Sequence, residues 1–391
     1  MSNSKDRESV ALVGELLEGR IDRRRFVRDA LLMGMGLSTI GTVLSACGGD
    51  EKKPEPSRLE GGPTPGPGGA APAPVMEKEL NIYIWSDYLA EDTVPNFEKE
   101  TGVKVVVDTY ESNEEAVAKL QSGASTYDLV CPSGYAVEVM RALDLIEKID
   151  HAKTPNVKNI LAAFKDVPYD PGGLFTMPWL WGITGIAYRK DRVKGPVDSW
   201  AIFQDAQYKN KMTQMDDMRD VIGGWLKFRG KSLNSIDAAE LAQAKADALL
   251  AKANLQSYIS GPVKSSLIAG DVLIAMLWDG DTAQATRENP EIGWVLPKEG
   301  ASIWTDSMVI PKSAPHKNAA HAFLDYIMRP EVAAKLASGT GYGSPNEAAL
   351  PLMTNPTRMP EGAQKALVEY QKDLGANAAA WDQVWTEIKA G

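Results

Sequence analysis

Cysteine, histidine and net positive charge are scarce in this chain, and each scarcity closes off a class of function. Two cysteines in 391 residues allow one disulfide at most, so no disulfide framework holds the fold. Three histidines, His151, His316 and His321, show no metal-ligand spacing with cysteine, and His316 and His321 read as surface imidazoles. Neither a metal site nor a cofactor is expected. No phosphate-cradling glycine loop and no Ser-His-Asp arrangement stands out, which argues against an enzyme. Acidic residues outnumber basic ones by 52 to 42, a formal net charge of −10. Such a surface disfavours nucleic acid and anionic membranes as partners and mildly favours a cationic ligand. Aromatic residues make up only 7% of the chain, yet ten of them are tryptophan. Long apolar runs are missing too. Residues 30–46 are glycine-rich and, at about seventeen residues, too short and weak for a membrane span.

The N-terminus is more informative. Arg23-Arg24-Arg25-Phe26-Val27-Arg28 precedes that modest apolar stretch and resembles a twin-arginine export signal, an address rather than part of the fold. The stretch ends in Leu44-Ser45-Ala46-Cys47-Gly48, which resembles the lipobox of bacterial lipoproteins. That resemblance implies cleavage before Cys47 and its acylation. Cys131 is then left without a partner and reads as a small buried hydrophobe in a strand. From residue 48 to 75, half of the positions are Pro or Gly and no hydrophobic period is present. Such a segment buries no core and reads as an extended tether, reaching up to roughly 3.1 Å per residue.

The remainder is long enough for two compact domains. After residue 79, short apolar runs alternate with helical segments. Residues 80–85, 103–109, 129–131 and 272–278 read as strands, and 91–100, 236–252 and 317–329 as helices. Ser112-Asn113-Glu114-Glu115 is a capping box opening a helix that stops at Gly123. Alternation of this kind predicts parallel α/β layers.

Three of the strands end alike, in Trp85-Ser86-Asp87-Tyr88, Pro132-Ser133-Gly134-Tyr135 and Trp278-Asp279-Gly280-Asp281. Ile303-Trp304-Thr305-Asp306-Ser307 repeats the combination of ring and acid. Ligands of open α/β sheets bind at the carboxyl ends of strands. Aromatic walls with carboxylates and few bases suit an alkyl chain bearing ammonium groups. Each acid taken alone is more often a helix cap or turn former, and Asp216-Asp217 can simply cap the helix containing residues 221–228. The inference rests on four clusters together.

At these residues the chain resembles the spermidine/putrescine-binding proteins of bacterial ABC transporters, from about residue 80 to 391. The matching stretches are Ile84-Trp85-Ser86-Asp87-Tyr88, Tyr110-Glu111-Ser112-Asn113-Glu114, Tyr127-Asp128-Leu129-Val130, Pro297-Lys298-Glu299-Gly300, Gly341-Tyr342-Gly343-Ser344-Pro345-Asn346 and Lys389-Ala390-Gly391. The resemblance implies an α/β, two-lobed periplasmic binding protein fold of type II with the ligand between the lobes. The expected organisation is a signal peptide at 1–46, a lipidated tether at 47–78, one lobe from 79–181 plus 305–350, and another from 182–304 plus 351–391.

It also implies roles. Trp85, Ser86 and Tyr88 line the cleft with Ser133 and Tyr135. Trp278 and Trp304 sandwich the alkyl chain, and Asp306 holds an ammonium. Asp217, Asp220 and Gln371 match the spermidine type, although the second acid is usually Glu there. Asp87 and Asp281 match the putrescine type. The surplus of Asp217, Asp220, Asp281 and Asp306 over what a diamine can neutralise favours spermidine. The expected protein is a monomer on the extracytoplasmic face, held by lipid on Cys47 and delivering polyamine to ABC permease subunits. Its rivals are a binder of another cationic solute and a polyamine-sensing receptor.

Overall fold

The computed structural model describes residues 76–391, apart from 124, 355, 356 and 358. The export signal, Cys47 and the Pro/Gly-rich segment up to residue 75 lie outside the described residues. The described residues belong to one compact unit.

The first layer is a three-stranded parallel sheet of β1 (Glu79–Trp85), β2 (Lys104–Tyr110) and β3 (Leu129–Val130), in the order β2-β1-β3. Leu80, Ile82 and Ile84 alternate along β1 and are buried, the period-two pattern of a strand with one face on the core. Helix α1 (Thr93–Thr101) links β1 to β2 and stops at Gly102, whose φ of 68° suits a residue without a Cβ. Helix α2 (Asn113–Gln121) opens as the capping box requires: Ser112 Oγ accepts the Glu115 N–H at 3.2 Å. Glu115 reaches back one residue further than expected, to the Glu111 N–H. Helix α3 (Gly134–Ala142) follows β3, and β4 (Ile146–Glu147) closes this part.

The second sheet is mixed rather than parallel, which corrects the expectation. Its spine is β5 (Met177–Arg189), thirteen residues and almost wholly buried. Strand β5 is reached through short 3-10 turns instead of a crossover helix, so antiparallel pairing is open to it. Its first half pairs antiparallel with β10 (Ala301–Met308), and its second half with β8 (Ile274–Trp278) and β9 (Ile292–Val295). Strands β6 (Met212–Gln214) and β7 (Leu255–Tyr258) extend the sheet beyond β8 in parallel pairing. On the far side, β12 (Val368–Tyr370) lies parallel to β10, while β11 (Ile310–Pro311) pairs with β4.

Helices α4 (Met218–Phe228), α5 (Ala238–Lys252), α6 (Val263–Ala269) and α7 (Asp279–Glu288) belong to this second part. Helices α8 (Lys317–Ile327) and α9 (Pro330–Thr340) come next, and α10 (Ala378–Ala390) ends the chain. Pro330 stops α8 and opens α9 in its first turn, where no amide hydrogen is needed.

The ten tryptophans divide evenly. Trp179, Trp181, Trp200, Trp225 and Trp381 are buried in the core, whereas Trp85, Trp278, Trp294, Trp304 and Trp385 are half-buried. Cys131 is fully buried. His321 is not the surface imidazole expected from the sequence. It is 4% exposed, its Nε2 accepts the Asp150 N–H at 2.9 Å, and its Nδ1 lies 2.6 Å from the Lys317 carbonyl oxygen. His316 is also partly covered, with Nδ1 3.0 Å from the buried Asp128. Among the described residues, no group of His, Cys, Asp and Glu has the arrangement of a metal site.

Candidate functional site

A cavity of about 790 Å³ opens where the strand ends converge. All thirteen residues picked out from the sequence line it: Trp85, Ser86, Asp87, Tyr88, Ser133, Tyr135, Asp217, Asp220, Trp278, Asp281, Trp304, Asp306 and Gln371. Local structure explains each placement. Trp85 is the last residue of β1, and Asp87 turns the chain with a φ of 54°. Ser133 and Trp278 are the residues just before α3 and α7, so both helices begin at the cavity. Trp304 and Asp306 are two residues apart on β10 and therefore share a face. Asp217 is the N-cap of α4, its Oδ1 accepting the Asp220 N–H at 2.9 Å. It serves as helix cap and cavity wall at once.

The walls carry nine acids and three bases, namely Asp87, Glu111, Glu114, Asp216, Asp217, Asp220, Asp281, Asp306 and Asp382 against Arg219, Lys264 and Lys389. Lys389 is engaged at 2.9 Å by Asp216. Arg219 turns aside. Its guanidinium donates to the Lys372 carbonyl and to Asn234, and lies over the rings of Tyr135 and Trp381.

The acids form three stations. At one end Asp281 accepts the Tyr342 hydroxyl at 2.9 Å and faces Lys264, which also faces Asp87. In the middle, Asp306 is 4% exposed, and burial pushes its carboxyl up to about 7. The nearby hydroxyls of Ser133 and Tyr88 hold back part of that rise, yet neither meets Oδ1 in hydrogen-bond geometry. At the other end Asp220 accepts from Thr184 at 3.0 Å and from Gln371 at 3.2 Å. Burial, reinforced by the adjacent Asp217, pushes Asp220 up to about 8. Tyr135, fixed by Asn113, donates to Glu114 at 3.2 Å above this end.

Rings supply the remaining surface. Trp304 meets Trp278 at 6.5 Å with an interplanar angle of 80° and Tyr342 at 5.2 Å and 67°, while Tyr342 meets Tyr88 at 5.4 Å. Trp278 and Trp304 thus meet as a corner of two walls. The reason lies behind Trp304. A Cβ on Gly182 would stand 2.5 Å from its ring and 2.7 Å from Asp279 Oδ1, so the indole lies flush against the backbone of β5. Five buried polar atoms on residues lining the cavity have no hydrogen-bond partner among the described residues: Trp85 Nε1, Tyr88 Oη, Arg219 Nε, Trp304 Nε1 and Asp306 Oδ1. Orphans of this kind cost about 1–3 kcal/mol each, which a polar guest relieves.

Tyr342, Glu114, Lys264 and Trp385 also line the cavity without having been picked out. Tyr342 follows α9 rather than a strand, so strand-end reasoning passes it over, and Lys264 has the wrong charge for the pattern sought.

A model of the bacterial extracellular solute-binding protein family matches residues 92–387. The chain is 34% identical over 319 residues to the spermidine/putrescine-binding periplasmic protein of Escherichia coli K12, covering 80% of this chain and 92% of that one. It is 33% identical over 341 residues to the putrescine/cadaverine-binding protein of Pseudomonas aeruginosa PAO1, covering 82% and 96%. The solved structure of the TpPotD lipoprotein of Treponema pallidum superposes with a TM-score of 0.73 at 31% identity, covering 79% and 99%. The fold is that of a two-lobed periplasmic binding protein.

Proposed function

The chain belongs to the bacterial extracellular solute-binding protein family, alongside periplasmic spermidine/putrescine-binding proteins, and on that premise we propose that its cleft captures a polyamine for delivery to an ABC importer. Asp306 carries this reading: a buried carboxylate, unpartnered at Oδ1, in an acid-rich cavity walled by Trp304, Tyr88 and Trp85. A polyamine supplies ammonium groups to the acids and methylenes to the rings. A desolvated cation over an indole gains about 2 kcal/mol, and a charge-assisted hydrogen bond about 1.5–3 kcal/mol. Two or three such contacts reach micromolar affinity after ordering costs.

In this reading the thirteen lining residues are the ligand contacts, and the lobes divide as 79–181 with 305–350 and 182–304 with 351–391. The protein binds as a monomer and without chemistry on its ligand, as befits relatives that are solute-binding proteins. Residue Cys47, acylated after signal cleavage, would hold it at the extracytoplasmic membrane face. The motif at 44–48 supports this, and mass spectrometry of the native protein should find acylated Cys47 as the first residue. An intact bond between residues 46 and 47 in membrane-extracted protein would remove the anchor.

A thermal-shift screen of cationic solutes on the mature body tests the cargo. At a hundredfold excess over Kd, a ligand of the native state adds about 2.7 kcal/mol of stability. Spermidine or putrescine should raise the melting temperature accordingly. Silence from both, with a response to another cation, would reassign the site.

A further inference from the structure

Lys264 runs against the charge pattern of the cleft. It projects from α6, and its Nζ lies 3.6 Å from Asp87 Oδ2 and 3.8 Å from Asp281 Oδ1. It donates to Gln284 Oε1 at 2.9 Å. The side chain is only 20% exposed and lines the same cavity as Asp306 and Asp220. Its partners come from separate places in the chain, one from the loop after β1 and two from α7. Chemically, a lysine side chain is a primary ammonium on a four-carbon stem, the same group that ends an alkyl polyamine.

We infer that Lys264 acts as a resident ammonium: it occupies the Asp87–Asp281 end of the cleft, leaves the ligand two charged stations, and so sets selectivity against a third ammonium. This rests on the polyamine reading. The two remaining stations are Asp306 and the Asp217–Asp220 pair. Asp281 counted as a free acid when the sequence favoured spermidine, and its pairing with Lys264 removes it from that count. A third ligand ammonium would have to displace the lysine or lie beside it, and like charges brought together in one cavity repel. The structure therefore favours two-ammonium ligands.

Isothermal titration of wild type, Lys264→Met and Lys264→Arg with putrescine and with spermidine, at one pH and low salt, tests the inference. Lys264→Met should shift the spermidine-to-putrescine affinity ratio toward spermidine by about tenfold. Lys264→Arg, which keeps the charge, should hold the ratio near that of wild type. Melting temperatures of the unliganded variants report folding separately. If wild type binds both amines and Lys264→Met leaves their ratio unmoved, the role of Lys264 is overturned while the polyamine reading stands. If wild type binds neither, both fall.

Discussion

The two ends of the cleft face the same problem and neutralise it differently. Each carries a pair of aspartates with one member buried, Asp281 at one end and Asp220 at the other. Asp87 and Asp281 share a fixed counter-ion, Lys264. Asp217 and Asp220 make no ion pair of this kind among the described residues: Arg219, their neighbour in sequence, is close enough to ease both carboxyls but gives its hydrogen bonds to the Lys372 carbonyl and Asn234 and lies over two aromatic faces. There burial, reinforced by the adjacent Asp217, pushes the Asp220 carboxyl up to about 8, so the pair favours a shared proton over two charges. A lysine stays where the chain puts it, whereas a proton leaves when a cation arrives. One end is therefore closed to charge and the other poised to receive it.

The sharpest test of this contrast sets the middle of the cleft against its rim. Asp306→Asn removes the charge from a carboxyl that is 4% exposed, and should cost about 2–5 kcal/mol of polyamine binding, roughly thirtyfold or more. Asp87→Asn alters a side chain that is 82% exposed and already paired with Lys264, so its effect should stay within a fewfold. Titration calorimetry of the two variants checks both, and equal small losses would show that Asp306 is not the anchor.

A subtler test concerns protons. In the empty cleft Asp306 and Asp220 hold their protons until the pH passes about 7 and about 8. A ligand ammonium favours the ionised form and lowers both values. At pH 7, binding should thus release protons, and affinity should climb as the pH rises through 7 to 8. The unliganded fold shows the opposite trend. Carboxyls raised by folding contribute stability below their unfolded pKa and lose it as pH rises through the folded one. Calorimetry in two buffers of different ionisation enthalpy measures the release. Asp220→Asn should reduce it and weaken binding by about tenfold, the smaller loss reflecting a carboxyl already neutral in the empty cleft. Binding without proton uptake or release would break the comparison.

How far these features could be read from the sequence depends on whether the signal was local. Strand β1 and the turn after it announce themselves, because apolar alternation and a Trp-Ser-Asp-Tyr end lie within ten residues. The same holds for Trp278 and for Trp304 with Asp306. Asp217 was legible in both its roles, as a cap and as a wall. Strand β5 was not, although its apolar run from Met177 to Ile186 was in plain view. Burial on both faces erases the alternation that marks a strand. His321 misled for a related reason: a lone histidine on a helix gives no hint that an amide from Asp150, 171 residues away, will cap its ring. Lys264 is the instructive omission. Only the folded chain brings its ammonium beside Asp87 and Asp281, which lie apart from it and from each other in sequence.

Gly182 has a consequence of its own. It does not touch the cavity, yet the position of the Trp304 indole depends on the empty space above its Cα. The cleft is in this respect a cast, its depth set by a side chain missing from the strand behind it. Adding a methyl there would push the indole forward and take volume from the cavity without altering one residue that lines it. The volume of the cavity is thus set partly on the reverse of its wall, by a residue that does not line it.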